Sequence, residues 1–356
     1  LFKTNKLVET SAPTGTDSDI TFTRASTATY VDRYGIVRTA AVDTIREEKD
    51  GFLIEQAGTN LLPYSEAFDN AAWSKINTVI TPNVVTSPDG TVNASKLDYT
   101  IAGGVLKEVI PNTTAASFTF SIWIKSTGAD RVIRIKLKNS PTSTNVIVGD
   151  FTATSEWQRF SVSLNSLSEG IVIEIRNLVV DLDFYIWGAQ FEQSTSATSY
   201  IPTVATAVTR IADKALLPVL NNAVTKEFSI FGIISNKSAA TGGIKRIFTV
   251  PVASGFCTLL HTPSNSNFIF RYDDNSTPVQ FGVISTENTV YFAITLEGSN
   301  LKININGTEN SDSKLSDPSL LLANNISFFG TTGSAISNGN IKDFRIYDFA
   351  LNANEI

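Results

Sequence analysis

Few residues of this chain have the types and spacing that nucleophilic catalysis needs. His261 is the only histidine and Cys257 the only cysteine, so a Ser-His-Asp or Cys-His set would have to use one of them. They lie four residues apart in one alternating apolar segment that predicts a strand, whereas catalytic partners usually come from separate elements. We therefore interpret both as packing residues. A single cysteine also excludes an intrachain disulfide.

Paired carboxylates are the second chemistry to consider, because a retaining glycan hydrolase needs two carboxyl groups about 5 Å apart. On a strand this calls for acidic residues at alternate positions. Asp181 and Asp183 are the nearest match, and a solvated turn is the alternative reading. Asp273 and Asp274 are candidates for Ca²⁺ ligands, but their position before Pro278 is also typical of a turn. We predict no catalytic residue, no cofactor and, beyond these weak Ca²⁺ candidates, no metal site.

A face of aromatic and charged residues is the better candidate for function. In a strand every second side chain points to the same side, and the apolar set takes the core face. The residues expected on the opposite side are Trp123, Lys125, Arg134, Glu174, Arg176, Tyr185 and Trp187. If their strands share one sheet, the rings would stack on sugars while the charged groups pair with hydroxyls. The alternative, commoner for such tryptophans, is packing against the leader or another subunit.

The elements that position these residues are predicted to be β-strands. Helical periodicity is scarce, and nearly every apolar stretch alternates with period two. Apolar residues make up 42% and charged residues 17%, a balance that with abundant Ser, Thr and Asn is typical of β-rich extracellular or virion proteins. The predicted fold class is all-β, with two antiparallel β-sandwich (jelly-roll) domains preceded by an irregular N-terminal β segment.

Composition divides the chain into four segments. Residues 1–60 form a leader too thin for a core of its own, so we expect it to dock on the next domain. Residues 61–203 contain all four tryptophans and are predicted to form the first sandwich. Residues 204–212 are the expected linker, and residues 213–356 form the second sandwich.

Two turns are predicted from local chemistry. Asp32-Arg33-Tyr34-Gly35 separates two alternating segments, and glycine supplies the positive φ that such turns often need. Asn306-Gly307 is a hairpin signal, because both residues tolerate positive φ.

Charge and hydropathy exclude two classes of partner. The net charge is −6 and no basic patch is present, so we expect no nucleic-acid binding. The apolar runs are far shorter than a membrane span, so we expect no membrane insertion. The chain has no methionine and opens at Leu1, which predicts a fragment or processed product. No signal-peptide pattern is present.

Several phrases of residues 20–203 occur in a characteristic order. They are Phe22 to Gly35, Gly51 to Glu55, Thr59 to Leu62, Tyr64 to Phe68, Ala72 to Lys75, Phe118 to Lys125, Glu156 to Phe160, Trp187 to Glu192 and Tyr200 to Thr203. Together they resemble a carbohydrate-binding-module-like jelly roll of bacteriophage tail fibre and minor tail proteins. Members of that family often carry arginine where this chain has Gly58.

The end of the chain resembles a second family. Leu301 to Gly307 and Ile341 to Tyr347, followed by Ala350-Leu351 and Glu355-Ile356, resemble a concanavalin A-like or laminin-G-like domain. That fold includes lectins, structural modules and some glucanases, so it leaves the function open.

The two resemblances imply a non-enzymatic virion component, a tail fibre or related surface appendage that attaches to the host by binding cell-surface glycans. Its implied partners are other virion proteins, further copies of itself (a trimer, by analogy with phage appendages) and a host-surface glycan. The implied location is the virion surface, and hence extracellular. Two alternatives stay open: a secreted bacterial adhesin or carbohydrate-binding protein, and a glycan hydrolase. The lack of paired strand carboxylates argues against the hydrolase.

Overall fold

The protein is represented by a computed structural model, which describes part of the chain. The described residues are 21–350 without 112, 114, 141–145, 166–169, 178–182, 218–223, 226, 237–244, 253–254, 263–266, 274–278, 286, 288, 299, 313–319, 322–325, 330–337 and 348–349. The regular elements within them are strands that pair in antiparallel sheets, which confirms the predicted all-β class. No helix in this part of the chain is long and apolar enough to cross a membrane.

The strands are short and frequent, as the spacing of polar turns predicts. Their bounds are β1 Thr21–Thr23, β2 Ala28–Val31, β3 Val37–Ala40, β4 Arg46–Glu48, β5 Gly51–Ile54, β6 Gly58–Asn60, β7 Ser74–Ile76, β8 Thr78–Thr86, β9 Val92–Tyr99, β10 Val105–Ile110, β11 Ser117–Ser126, β12 Arg131–Ser140, β13 Val146–Ala153, β14 Gln158–Asn165, β15 Gly170–Arg176, β16 Asp183–Glu192, β17 Val208–Arg210, β18 Lys214–Leu217, β19 Val224–Thr225, β20 Phe228–Asn236, β21 Lys245–Val252, β22 Gly255–Thr262, β23 Asn267–Asp273, β24 Val279–Ile284, β25 Thr289–Glu297, β26 Asn300–Ile305, β27 Thr308–Asp312, β28 Leu320–Leu321, β29 Ile326–Phe328 and β30 Gly339–Tyr347.

The chain forms two compact units, and each is discontinuous in sequence. The central unit comprises Ala28–Thr39 and Ala57–Arg210, and the C-terminal unit comprises Leu1–Thr27, Ala40–Gln56 and Ile211–Ile356. The described part of the leader therefore contributes to both units. The boundaries expected from composition stay a prediction.

The central unit is a sandwich of two five-stranded sheets. Sheet 1 has the strand order β13-β12-β15-β10-β7, and sheet 2 has the order β14-β11-β16-β9-β8. Alternate residues of both sheets point into one core. On β11 and β12 these are Phe118, Phe120, Ile122, Ile124, Ile133, Ile135 and Leu137, the residues that period-two alternation predicts to be inside.

The C-terminal unit contains two seven-stranded sheets around a core rich in isoleucine and phenylalanine. Sheet 3 has the order β1-β18-β29-β21-β22-β23-β24, and sheet 4 has the order β27-β26-β25-β20-β30-β5-β4. The leader supplies the strands at one edge of both sheets, because β1 pairs with β18 and β5, with β4 beyond it at the edge, pairs with β30. These pairings satisfy backbone groups that a thin leader cannot satisfy by itself.

Both predicted turns are confirmed. β2 and β3 are joined through Gly35, whose φ is +82°, and Asp32 accepts backbone hydrogen bonds from Tyr34 (2.9 Å) and Ile36 (3.0 Å). β26 and β27 are joined by Asn306 and Gly307 with φ of 49° and 86°, so this two-residue hairpin loop has the two positive φ values of a type I′ turn.

Replacing Gly35 by alanine is expected to destabilise the central unit by about 1 kcal/mol, because an L-residue is strained at positive φ. A Cβ at this position would meet nothing within 4 Å, so the loss isolates backbone strain from steric clash. Gly128 is the matched control, since it has the same open surroundings without a positive φ. Chemical denaturation should show a loss for Gly35→Ala and none for Gly128→Ala; equal stabilities would contradict the strain argument.

Candidate functional site

The structure places the seven predicted glycan-binding residues on two different sheets. Trp123 and Lys125 on β11 and Tyr185 and Trp187 on β16 belong to sheet 2. Arg134 on β12, with Glu174 and Arg176 on β15, belongs to sheet 1. The outer faces of two packed sheets point in opposite directions. The condition for one continuous sugar-binding face is therefore not met.

The three charged residues of sheet 1 take part in a ladder of ion pairs. Arg134 donates two hydrogen bonds to Asp150, of 2.6 and 2.7 Å, and these hold the pKa of Asp150 below its usual range. Glu174 is buried and accepts from Lys138 at 3.1 Å and from Arg176 at 3.2 Å. The pairs Arg134–Asp150 and Lys138–Glu174 join neighbouring strands, where opposite charges stabilise a sheet, and Arg176 adds a pair within β15. These residues therefore have structural partners.

Trp187 is a packing residue in this structure. Its side chain is 1% exposed, and its ring centroid lies 4.8 Å from that of Tyr200. Val37 of β3 belongs to the same apolar cluster, and Trp123 packs against it, partly buried. Stacking on a sugar needs an open ring face. Trp187 is therefore a packing residue and offers no face to a sugar. The β2–β3 hairpin is one of the elements that bury it.

The conspicuous phrases of residues 20–203 meet around the closing strand β16. The side-chain amide of Asn60 donates to the carbonyls of Ala189 (3.1 Å) and Ile201 (2.8 Å). Its oxygen accepts from the backbone N–H groups of Leu62 (3.2 Å) and Phe191 (3.0 Å). One buried side chain thus joins the Thr-Asn-Leu-Leu, Trp-Gly-Ala-Gln-Phe-Glu and Tyr-Ile-Pro-Thr phrases. Here these phrases hold the sandwich together.

A partly exposed group of side chains lies on the outer face of sheet 2, and Trp157 within it also packs against the Trp187 cluster. The Lys125 ammonium lies 5.9 Å from the ring of Trp157 and 6.0 Å from that of Tyr185. All three side chains are half-buried, and Lys125 faces Tyr185 directly across the β11–β16 ladder. The indole N–H of Trp157 donates to the Thr86 carbonyl at 3.0 Å, which fixes its ring. We call Trp157, Lys125 and Tyr185 the aromatic–lysine row.

Charged side chains extend this row along the same sheet. Lys96 pairs with Tyr185 across β9 and β16, and its ammonium binds Asp98 at 2.6 Å and Asp183 at 2.9 Å. The hydrogen bonds to these two carboxylates raise the pKa of Lys96 above its usual value. The aromatic–lysine row therefore lies beside a second ammonium and two carboxylates whose positions are held by salt bridges.

The remaining candidate residues give no catalytic or metal cluster in the described part of the chain. Asp181, Asp274 and the side chain of Asp273 lie outside the described residues. No group of three His, Cys, Asp or Glu side chains that could hold a metal ion occurs among the residues that are described. His261 stacks on Phe268 with ring centroids 4.5 Å apart, and burial lowers its pKa. The side chain of Cys257 is also outside the described set.

Sequence reasoning missed Trp157 as a site residue. It lies just before β14, so the alternation within strands assigned it no face. A tryptophan next to the start of a strand that borders β11 was the available signal, because such a ring can fold over the face of the neighbouring strand.

Comparison with family models gives a match to part of the chain. Residues 233–356 match the model of the concanavalin A-like lectin/glucanases superfamily. The match agrees with the resemblance seen in the segments 301–307 and 341–347. No curated protein matches the chain.

The chain also matches parts of several solved structures, each with a TM-score below 0.5. The binding domain of Botulinum neurotoxin serotype D is 20% identical with a TM-score of 0.34, over 40% of this chain and 38% of the neurotoxin chain. The tandem CBM22 domain of Paenibacillus barcinonensis Xyn10C is 9% identical with a TM-score of 0.33, over 84% and 99% of the two chains. Mouse laminin α1 domains LG4-5 are 8% identical with a TM-score of 0.30, over 69% and 89%.

Proposed function

We propose that this protein is a non-enzymatic glycan-binding component of a bacteriophage virion, a tail fibre or related appendage that attaches to the host. The observation that carries the binding function is the aromatic–lysine row, in which the Lys125 ammonium lies 5.9 and 6.0 Å from two partly exposed rings. The lectin-like match of residues 233–356 supports sugar binding. The ordered phrases of residues 20–203 support the phage assignment.

The row suits a pyranose for physical reasons. The C–H groups of a sugar ring pack on an aromatic face, which excludes water from both. A lysine ammonium beside the ring donates to a hydroxyl or carboxylate oxygen, and the Lys96 cluster adds acceptors for sugar hydroxyls. Because salt bridges and the Trp157 hydrogen bond hold these groups in place, little conformational entropy is lost on binding.

The virion proposal includes the protein's partners and location. We propose contacts with other virion proteins, self-association into a trimer, and exposure on the particle surface. Mass spectrometry of purified particles should detect the chain, and light scattering of the full-length protein should give an oligomer. A chain found in culture medium without particles would favour the secreted bacterial adhesin instead.

A glycan hydrolase has less support from the described residues. Asp183 is bound by Lys96 at 2.9 Å. Glu108 alternates with Leu106 and Ile110 and points toward the core of the central sandwich. Asp183 faces Asp98 across β16 and β9, but the Lys96 ammonium lies between the two carboxylates and binds both. Neither arrangement leaves an acid and a nucleophile in the roles that retaining hydrolysis needs.

Removing the Trp157 ring should weaken glycan binding by about tenfold, because a stacked ring contributes on the order of 1 kcal/mol. Lys125→Gln should also weaken binding, since it removes the positive charge and shortens the side chain by one bond while keeping a polar end. A glycan array would identify the sugar, and calorimetry would compare the variants.

Arg134→Gln is the matched control for Lys125→Gln, because Arg134 lies on sheet 1 with Asp150 as its partner. Its affinity should equal that of the unmodified protein. Unchanged binding by folded Trp157→Ala, or an equal loss in Arg134→Gln, would contradict the proposed site.

A further inference from the structure

A groove of about 340 Å³ lies on the outer face of sheet 4 in the C-terminal unit. Its lining residues are Phe231, Tyr291, Phe292, Ala293, Asn304, Gly307 and Glu309. The volume is at the lower end of the range of small-molecule sites, which suits one or two sugar rings. None of these residues belongs to the aromatic–lysine row, so the inference does not rest on the proposed function.

The strand register explains why a groove forms here. Across neighbouring strands the residues Glu309, Asn304, Ala293, Phe231 and Arg345 follow one another in a single row. Ala293 is the smallest of them, so the row is lowest in its middle. Tyr291, two residues away on the same face of β25, is 52% exposed and forms a wall. The small side chain of Ala293 between larger neighbours therefore produces the depression.

The hairpin turn of β26–β27 holds that wall in place. The side-chain oxygen of Asn306 accepts from the Tyr291 N–H at 2.8 Å, and the Asn306 N–H donates to the Tyr291 carbonyl at 2.9 Å. Asn304 accepts from the Gly307 N–H through its Oδ1 at 2.9 Å, which orients its Nδ2 group as a donor. The site is therefore largely formed before a ligand arrives, which reduces the entropic cost of binding.

The groove combines a ring face with polar groups of both kinds. Tyr291 is 52% exposed and offers the more open ring, whereas Phe231 is half-buried, with the Arg345 guanidinium 5.7 Å from its ring. The Asn304 amide supplies a donor, and the exposed Glu309 carboxylate supplies acceptors. Rings, a donor and acceptors around one small depression are what a sugar with C–H faces and hydroxyls requires.

The charges near the groove select between classes of sugar. Arg345 binds Asp343 through two hydrogen bonds, of 3.1 and 2.6 Å, so these two charges largely compensate each other. Lys302 lies on the same face of β26, two residues from Asn304, but outside the groove lining, so Glu309 gives the lining itself a negative character. A carboxylate ligand would be repelled, while a neutral sugar or one bearing an ammonium group would be accepted.

We propose that this groove is a binding site for a neutral or amino-bearing pyranose. Saturation-transfer difference NMR on the full chain tests it with methyl β-D-galactopyranoside, methyl β-D-glucopyranoside, glucosamine and glucuronic acid as probes. At least one of the first three should bind, and glucuronic acid should bind more weakly than the best of them. Tyr291→Ala should weaken binding about tenfold. Glu309→Gln should reduce the preference for glucosamine over glucuronic acid.

Tyr34→Ala is the matched control, because Tyr34 is an 81% exposed aromatic residue on the β2–β3 turn. It should bind like the unmodified chain. Binding of none of the probes, equal binding by Tyr291→Ala, or a preference for glucuronic acid would overturn the proposal. If Trp157→Ala weakened sugar binding and Tyr291→Ala did not, the groove would be excluded as the binding site. The proposed site at the aromatic–lysine row would then be supported.

Discussion

Replacing Asp213 by alanine is expected to destabilise the C-terminal unit by about 3–5 kcal/mol, because breaking a buried ion pair leaves uncompensated charge. Asp213 accepts from Arg24 at 3.2 Å and from Arg46, and it also accepts from the backbone N–H of Glu55 at 2.7 Å. Arg46 binds Glu55 at 2.6 Å. These four side chains are at most 4% exposed.

The network attaches the leader to the C-terminal unit, since Arg24, Arg46 and Glu55 all come from the leader. The alanine variant should therefore lower the melting temperature of that unit by roughly 10 °C, as calorimetry would show. Asp150→Ala is the control, because its pair with Arg134 is exposed on both sides and exposed pairs contribute little. Equal melting temperatures for the two variants would contradict the structural role of the network.

Glu108→Gln is expected to stabilise the central unit by roughly 3 kcal/mol at pH 8 and to change little at pH 5. Leu106 and Ile110 flank Glu108 on β10, and Ile173 lies opposite on β15, so the carboxyl group faces the core. Its Oε2 atom is buried with no hydrogen-bond partner among the described residues. Burial raises the pKa of Glu108 from 4.5 to about 7, against a smaller lowering by a backbone hydrogen bond.

The sign of the pH dependence follows from proton binding. Between pH 4.5 and 7 the folded state holds a proton that the unfolded state has released, so stability decreases as pH rises through this window. Above the folded-state pKa the loss is complete, and the glutamine variant avoids it. Glu156→Gln, at an exposed position, should leave the pH profile unchanged. Denaturation series at pH 5, 6, 7 and 8 measure the difference, and parallel profiles for Glu108→Gln and the unmodified chain would refute the assignment.

Local patterns predicted the strands well because their cause is local. Period-two alternation identified the inward residues of β11 and β12, and Asn306-Gly307 identified a hairpin through its backbone preferences alone. Glu108 shows the limit of the method: a carboxylate at an inward position interrupts the apolar pattern, although the backbone continues as a strand.

The arrangement of strands into sheets depends on distant pairings that alternation does not encode. Trp123 faces Trp187 across β11 and β16, whereas Arg134 and Glu174 belong to the other sheet. The residues predicted to share one face therefore lie on two different sheets. The cover over Trp187 comes from the leader hairpin, and the leader's ion network joins residues up to 189 positions apart. Trp157 was missed because it precedes its strand, and the groove on sheet 4 depends on a register spanning five strands.

The most direct test of glycan binding is a titration of the isotope-labelled full chain, followed through its four indole N–H signals by NMR. Trp157 lies in the proposed site with its N–H bound to Thr86, whereas Trp73 and Trp187 are each 1% exposed. Adding a glycan selected on an array should shift the Trp157 signal in a saturable way and leave those of Trp73 and Trp187 in place. A saturated complex in which the Trp157 signal does not move would contradict the proposed site.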